Sequence, residues 1–292
     1  MASAFLEDRG VVRVTGEDAR GFLDGLVTSD MDKVAVDRAR HAALLTPQGK
    51  ILFDFIVAEA DGEQGGGFYL DVPRALAADL ARRLGFYKLR ARVSIEDLSE
   101  TAGVVAFWDG ERADEGLGVV YADPRLPELG DRVIAPRSTC PDLASEPAEA
   151  WHAHRVALGV PEGGRDFAYG DAFPHEADMD QLGGVDFDKG CYVGQEVVSR
   201  MQHRGTARTR IVPVRFRGGV GAGEGAEAHA GGRAAGRIGS VTADGRALAM
   251  LRLDRVEDAL ASGGALEADG LAFDLVKPAF ARFPWPGEGG GA

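Results

Sequence analysis

Cysteine is scarce in this chain, with only Cys140 and Cys191 among 292 residues. Two thiols cannot build a disulfide framework, and they are too few to hold a zinc ion or an iron–sulfur cluster unaided. We therefore predict no resident metal site. An uninterrupted apolar run of the ~20 residues that a membrane-spanning helix needs is also missing, so we expect no membrane partner.

The first nine residues lack a basic segment followed by an apolar run, which is the pattern of a secretory signal. Glu7 and Asp8 are also unusual for a transit peptide, because such peptides are poor in acidic residues. We therefore expect a cytoplasmic protein with reduced thiols.

Positive charge is in deficit, with 33 Lys and Arg against 46 Asp and Glu and a net charge of −13. This balance argues against a general nucleic-acid coat. Two basic runs stand out, at residues 82–92 and 200–217. Charge runs are usually solvated faces, and the alternative is a funnel for a polyanionic ligand, since arginine pairs well with carboxylates. Neither run has an RNA-binding motif, so we expect no direct nucleic-acid partner.

Hydrophobic patterning predicts a mixed α+β protein. Strands are predicted at residues 11–14, 41–46, 51–58, 68–72, 86–95 and 101–108. Helices are predicted after Asp18, from Pro73 to a stop at Gly85, at 145–158, and from near Gln195 to before Gly205. From Thr206 onward, short strands separated by glycine-rich turns predict a small β-barrel or sandwich.

The most distinctive segment is residues 188–196, which read DKGCYVGQE. Its glycines favour a tight bend that would present Cys191 just before a helix. A helix N-terminus and the nearby Lys189 would both favour the thiolate form, which is the nucleophilic and metal-ligating form. The alternative is that Cys191 is a small buried hydrophobic residue, as most lone cysteines are.

Asp54 and Trp151 are further candidates. Asp54 alternates with Leu52 and Ile56 along a predicted strand, and a carboxylate among apolar neighbours needs a hydrogen bond, a partner or a cavity. It could equally lie on a solvent-facing edge, because periodicity does not identify the buried face. Trp151 on a predicted helix is most simply a core residue.

The 188–196 segment resembles the signature of the YgfZ family, whose members are folate-binding proteins related to the T-protein (aminomethyltransferase) of glycine cleavage. Other matches follow in the same order along the chain. They are LED at 6–8, VTGEDA at 14–19, TPQGKI at 46–51, FPHE at 173–176, LGGV at 182–185 and IGSVT at 238–242.

This resemblance implies a T-protein-like cloverleaf, in which two α+β units surround a folate cavity and a small C-terminal β-barrel follows. The corresponding domains are a folate-binding region at 1–205 made of two interleaved units, a barrel at 206–283 and a flexible tail at 284–292. The implied function is tetrahydrofolate-linked assembly or repair of iron–sulfur clusters, including clusters of tRNA methylthiolation enzymes. Implied partners are folate, polyglutamylated or as a one-carbon derivative, and iron–sulfur client proteins or cluster carriers.

Residue by residue, the resemblance implies a catalytic role for Cys191, Lys189 and Asp54. It implies folate contacts for a larger set: Asp54, Trp151, Glu176, Tyr192, Gln195, Glu196 and Arg200. Two positions depart from the pattern. Phe53 replaces the first of two adjacent acids in the T-protein, and Arg9 stands where the family can present an aromatic residue. The Phe53 departure puts methylene transfer in doubt, so an aminomethyltransferase or other one-carbon transferase is the alternative function. A third hypothesis is a scaffold protein regulated by folate.

Overall fold

The computed structural model describes residues 1–205 and 207–288, which form two compact units. Unit 1 comprises Met1–His152 and Leu182–Glu196. Unit 2 comprises Ala153–Gln181 and the chain from Val197 onward. Each unit is therefore assembled from two separated stretches of sequence. None of the helices in the described ranges is long and apolar enough to cross a membrane.

Unit 1 contains two antiparallel sheets. The five-stranded sheet has the order β3-β4-β5-β2-β6, and the four-stranded sheet has the order β1-β7-β9-β8. Their strands are β1 (Ala2–Leu6), β2 (Arg9–Thr15), β3 (Arg40–Leu45), β4 (Ile51–Ala60), β5 (Gly67–Pro73), β6 (Ser94–Asp97), β7 (Ala102–Trp108), β8 (Val119–Ala122) and β9 (Asp131–Pro136). The unit also holds the helices α1 (Ala19–Asp24), α2 (Arg74–Tyr87) and α3 (Cys140–Leu143).

Helix α2 shows why the sequence folds locally as it does. Leu80 and Leu84 lie four residues apart, so they share one face of the helix, and both are fully buried in the core of the five-stranded sheet. That core also takes up Phe53, Phe55 and Val57 from alternate positions of β4. The opposite face of β4 carries Asp54, which is therefore turned away from this apolar core.

A buried ionic network connects the two sheets of unit 1. The carboxylate of Asp71 on β5 accepts hydrogen bonds from Arg9 Nε at 2.6 Å, Arg132 Nη1 at 2.6 Å and the Tyr121 hydroxyl at 3.0 Å. Arg132 lies on β9 and also contacts Asp123, with 2.9 Å between Nε and Oδ2. Burial and the ionised Asp71 raise the pKa of the Tyr121 phenol well above its usual value. The phenol therefore stays protonated and remains a donor.

Unit 2 contains a closed β-barrel with the strand order β10-β13-β12-β11-β14-β15. Its strands are β10 (Thr209–Phe216), β11 (Glu227–Ala230), β12 (Arg233–Val241), β13 (Arg246–Arg252), β14 (Leu266–Ala268) and β15 (Leu271–Leu275). Helix α6 (Leu253–Ala261) packs on the barrel. The division between the units falls within two further helices, α4 (Ala148–Leu158) and α5 (Gln195–Arg204).

The structure corrects two local predictions. The predicted strand at 86–95 is wrong, because α2 continues past Gly85 to Tyr87 and β6 begins only at Ser94. In the predicted flexible tail, residues 284–288 contact the barrel: Trp285 packs against its core and Glu288 pairs with Lys277. The sequence prediction considered the glycines and prolines of this tail and overlooked the apolar area of Trp285. Residues 289–292 of the tail and Thr206 at the predicted boundary lie outside the described residues.

We expect Asp71→Asn to destabilise the protein by about 3–5 kcal/mol, because it leaves the buried Arg9 and Arg132 without their shared counter-charge. Urea unfolding followed by tryptophan fluorescence measures the loss. Asp79→Asn is the matched control, since Asp79 pairs with Arg82 on the surface, and it should leave the unfolding midpoint unchanged. Equal midpoints for the two variants would contradict a central role for the network.

Candidate functional site

The two cysteines lie in opposite environments. Cys191 is exposed, in the loop that leads into α5, whereas Cys140 is fully buried at the start of α3. Burial raises the pKa of the Cys140 thiol, and its Sγ lies 3.5 Å from the carbonyl oxygen of Pro136. Helix α5 begins at Gln195, where the sequence predicts it. The structure therefore presents one thiol to solvent, four residues before a helix N-terminus.

The buried side chain of Lys189 ties the signature loop, residues 188–196, to the chain around the end of α1. Its Nζ donates to the backbone carbonyls of Asp24 at 2.6 Å, Val27 at 2.9 Å and Ser29 at 2.9 Å. These three acceptors use all three N–H groups of the ammonium, and the side chain is only 1% exposed. Lys189 also pairs with the Asp24 carboxylate at 3.1 Å, so it ties together the last residue of α1 and the loop that follows. An effect of the Lys189 charge on the Cys191 thiol stays a prediction.

Gly194 and Tyr192 also fix the shape of the signature loop, which comprises residues 188–196. Gly194 has a φ of +83°, and a Cβ there would lie 2.5 Å from the carbonyl oxygen of Thr46, so only glycine fits. Gly190 has open space around it and needs no such freedom. The ring of Tyr192 lies 5.4 Å from Lys189 Nζ, in a cation–π contact.

The hydroxyl of Tyr192 is buried, and among the described residues it has no hydrogen-bond partner. Burial raises its pKa to about 12. The phenol therefore keeps its proton at neutral pH, and it is a donor available to a bound molecule.

The segment before the signature is tied to the loop after α1. The Thr28 hydroxyl donates to the carbonyl of Gly184 at 2.6 Å. Asp186 accepts two hydrogen bonds from Lys33 Nζ, at 2.7 and 2.8 Å, and a weaker one from Arg40 at 3.3 Å. Because residues 184–189 are held in this way, the exposed thiol extends from an anchored loop.

Asp54 is buried and faces a histidine that the sequence analysis did not identify. Its Oδ2 lies 3.4 Å from His41 Nε2, and burial lowers the pKa of His41, so the imidazole is neutral at physiological pH. Strand register could have revealed this neighbour. Ala43 is directly opposite Asp54 in the hairpin, which puts His41 on the diagonal of the same face. The Nδ1 atom of His41 is buried and has no hydrogen-bond partner among the described residues.

Trp151 is 1% exposed and packs as a core residue. Its ring lies 5.6 Å from that of Trp108, and the guanidinium of Arg132 lies 5.3 Å from its centroid. Arg132 in turn holds Asp123, whose charge acts on His41. Asp54 and Trp151 are therefore linked through a chain of buried charged groups. Direct contact of Trp151 with folate stays a prediction.

The remaining predicted folate contacts are divided between the units. Gln195 and Glu196 form the first turn of α5 and belong to unit 1, while Arg200 on the same helix belongs to unit 2. Glu176, also in unit 2, accepts a hydrogen bond from the backbone N–H of Phe173 at 2.9 Å. That bond stabilises a local turn, and a ligand role for these four residues stays a prediction.

Comparison with known proteins agrees with this architecture. The chain is similar to the aminomethyltransferase T of the glycine cleavage system from Bartonella henselae, with a TM-score of 0.74 at 15% identity over 97% of this chain and 87% of that one. Residues 208–283 match the C-terminal β-barrel domain of CAF17. The predicted T-protein-like α+β fold with a C-terminal barrel is thus confirmed.

Sequence relatives decide the family. The mitochondrial iron–sulfur cluster assembly factor IBA57 of Mus musculus is 31% identical over 280 residues, which cover 85% of this chain and 73% of the mouse protein. The chain belongs to the IBA57 family. The human IBA57 is 32% identical, with coverages of 72% and 65%, and the homologue from Pyricularia oryzae is 36% identical, with coverages of 71% and 56%. The chain therefore spans just over half the length of that fungal member.

The family membership corrects one expectation. The fungal, human and mouse IBA57 proteins are all mitochondrial, so the prediction of a cytoplasmic location is wrong. That prediction depended on the composition of the first nine residues, which says little about the family as a whole.

We expect Cys191 to be alkylated by iodoacetamide in the folded protein and Cys140 only after unfolding, because one thiol is exposed and the other is fully buried with a raised pKa. Mass spectrometry of timed samples measures both sites. Cys191→Ser should abolish labelling of the native protein, and Cys140→Ser should leave it intact. Similar rates at both thiols before unfolding would contradict the assignment.

Proposed function

We propose that this protein acts in the assembly or repair of iron–sulfur clusters, with Cys191 as its working thiol. The observation that carries the proposal is a single exposed cysteine on an anchored loop, in a chain whose relatives are iron–sulfur cluster assembly factors. The Cys191 thiol would lose its proton to water, and the thiolate would displace a water or thiolate ligand from iron, an exchange in which nothing is oxidised or reduced.

One thiol does not complete the coordination of a cluster, since protein-bound clusters usually take four cysteine ligands. Cys140 is buried and belongs to the core around β7 and β9, so it does not supply a second ligand at this loop. The remaining ligands would come from a client protein or a cluster carrier. Cys191 would therefore act in a complex with such a partner, and clients of tRNA methylthiolation are among the proposed recipients.

We propose tetrahydrofolate, or a polyglutamylated or one-carbon derivative, as the small-molecule ligand of unit 1. A reduced pterin ring presents several N–H donors, and the carboxylate of Asp54 is an acceptor beside the neutral His41. The buried Nδ1 of His41 and hydroxyl of Tyr192, both without partners among the described residues, are polar atoms that a ligand would satisfy. These polar groups support a folate as the ligand.

The alternative function, a folate-dependent aminomethyltransferase or other one-carbon transferase, has less support. Phe53 occupies the position of the first of the two adjacent acids and packs in the core cluster of the five-stranded sheet. The strand thus offers one acid where the T-protein pattern has two. Asp54 alone is better suited to binding a folate than to transferring a one-carbon group from it.

For the thiol, we expect a deletion strain to show reduced activity of iron–sulfur enzymes that wild-type protein restores and Cys191→Ser does not. Serine is nearly isosteric, so the loss would reflect the missing sulfur ligand. Cys140→Ser is the matched control and should restore activity, provided that its thermal stability is close to wild type. Full rescue by Cys191→Ser would refute the proposed role of the thiol.

For the folate, we expect calorimetry to show saturable binding of tetrahydrofolate that Asp54→Asn weakens at least tenfold, because a charged acceptor is replaced by a neutral amide. Asp274→Asn on the barrel surface, where Asp274 pairs with Arg217, is the control and should bind as wild type. Absence of binding at millimolar folate would exclude this ligand.

A further inference from the structure

One surface of unit 1 combines exposed apolar side chains with positive charge. A groove of about 260 Å³ lies between the start of β4 and the outer side of α2, and its lining residues are Leu52, Phe53, Asp79, Arg82, Arg83 and Phe86. The chain then continues from α2 through Lys88, Leu89 and Arg90. We call these nine residues the α2 patch.

Two of the four apolar residues of the α2 patch are unusually exposed. Phe86 is 69% exposed and Leu89 is 89% exposed. Leu89 also has a φ of +41°, a left-handed conformation that bulky residues rarely adopt. Exposed apolar groups beside a groove are typical of binding surfaces, and a strained backbone that holds one of them outward strengthens that interpretation.

The positive charges of the α2 patch are largely uncompensated. Arg82 pairs with Asp79, but among the described residues Arg83, Lys88 and Arg90 have no acidic partner within ion-pair distance. The guanidinium of Arg83 instead lies 5.9 Å from the ring of Tyr87. In a chain with a net charge of −13, this concentration of cationic groups is a local exception.

We propose that the α2 patch docks a partner protein through a segment in which an apolar side chain is flanked by aspartate or glutamate residues. The apolar side chain would occupy the groove against Phe53 and Phe86. The flanking carboxylates would face Arg83, Lys88 and Arg90, and arginine would bind them in the bidentate manner that it favours. This proposal deepens the proposed function, because it gives the cluster-carrying partner a place to bind.

The position of the patch is compatible with delivery to Cys191. Gly194 is packed against Thr46 and Gly49, so the signature loop touches the turn that leads into β4. Leu52 follows Gly49 by three residues, and Cys191 precedes Gly194 by three. The reach of an extended chain then limits the separation of Leu52 and Cys191 to about 27 Å. A partner domain of ordinary size could contact both.

A folate polyglutamate tail fits the α2 patch less well. Such a tail would neutralise the cations, but it has no apolar group to cover Phe86 and Leu89. A second copy of this chain is a further possible occupant. The experiment must therefore separate a protein segment from both alternatives.

A random 15-residue peptide library on phage, selected on the full chain and counter-selected on Phe86→Ala, is the direct test. We expect enrichment of peptides with Asp or Glu around an apolar residue. Fluorescence anisotropy of a synthetic enriched peptide should show affinity at least tenfold lower for Phe86→Ala and for the Lys88→Glu/Arg90→Glu double variant. Affinity should also fall with salt. These side chains are exposed, so the variants should fold.

Val220→Ala and Arg237→Glu on the exposed surface of the barrel are matched controls and should bind the peptide as wild type does. Three results would overturn the proposal. The first is that the selection enriches no peptide. The second is that an enriched peptide binds the Phe86→Ala variant as well as wild type. The third is that tetrahydrofolate pentaglutamate displaces the labelled peptide but excess unlabelled peptide does not. A dimer in solution that dissociates in Phe86→Ala would instead assign the patch to a second copy.

Failure of the docking proposal can be distinguished from failure of the proposed function. Cys191→Ser should bind the peptide normally, and Phe86→Ala should leave the alkylation rate of Cys191 unchanged. If Cys191→Ser rescues the deletion strain while the patch variants lose the peptide, the thiol proposal fails and the docking surface stands. If the patch variants keep the peptide while Cys191→Ser fails to rescue, the docking proposal fails alone.

Discussion

The burial of Asp71 is the constraint on which unit 1 depends. A carboxylate removed from water is tolerated only when it is fully paired, and here two guanidinium groups and a phenol converge on it. Since these donors come from both sheets, the network fixes where β5 meets β8 and β9. Arg132 extends it to Asp123, whose pKa its two arginine neighbours hold far below the usual range. The charges of Asp123 and Arg125 reach His41, which lies beside Asp54, so the structural network borders the proposed ligand site.

The signature loop is likewise held in place by specific local contacts. Lys189 donates to the last residue of α1 and to the loop that follows it, and Gly194 makes room for the carbonyl of Thr46. Within DKGCYVGQE, Lys189 and Gly194 are thus anchors, while Cys191 lies on an exposed stretch between them. The motif therefore has two roles. Its anchoring residues fix the loop, and the sulfur atom of Cys191 does the proposed chemistry.

Much of this could be read from the sequence, and the failures have physical causes. Apolar spacing located α2, since that pattern depends on one helix face, and the end of a glycine-rich stretch located the start of α5. The predicted strand at 86–95 is wrong because α2 continues to Tyr87, and its apolar Phe86 and the following Leu89 are exposed and add nothing to a buried strand. The role of Lys189 was not predictable, because its acceptors lie some 160 residues away in the chain. His41 could have been found, since the predicted hairpin already implied its register with Asp54.

The net negative charge of the chain and the local positive charge of the α2 patch both affect how an acidic partner would bind. At physiological ionic strength the Debye length is about 8 Å, so the net charge of −13 acts weakly on a partner beyond that distance. Within it, the nearest groups dominate, so an acidic segment is repelled where carboxylates lie closest and attracted where Arg83, Lys88 and Arg90 lack counter-charges. The acidic background therefore selects the binding face as much as the cations do. A more basic chain would bind the same segment in many orientations, and few of them would bring its ligands to Cys191.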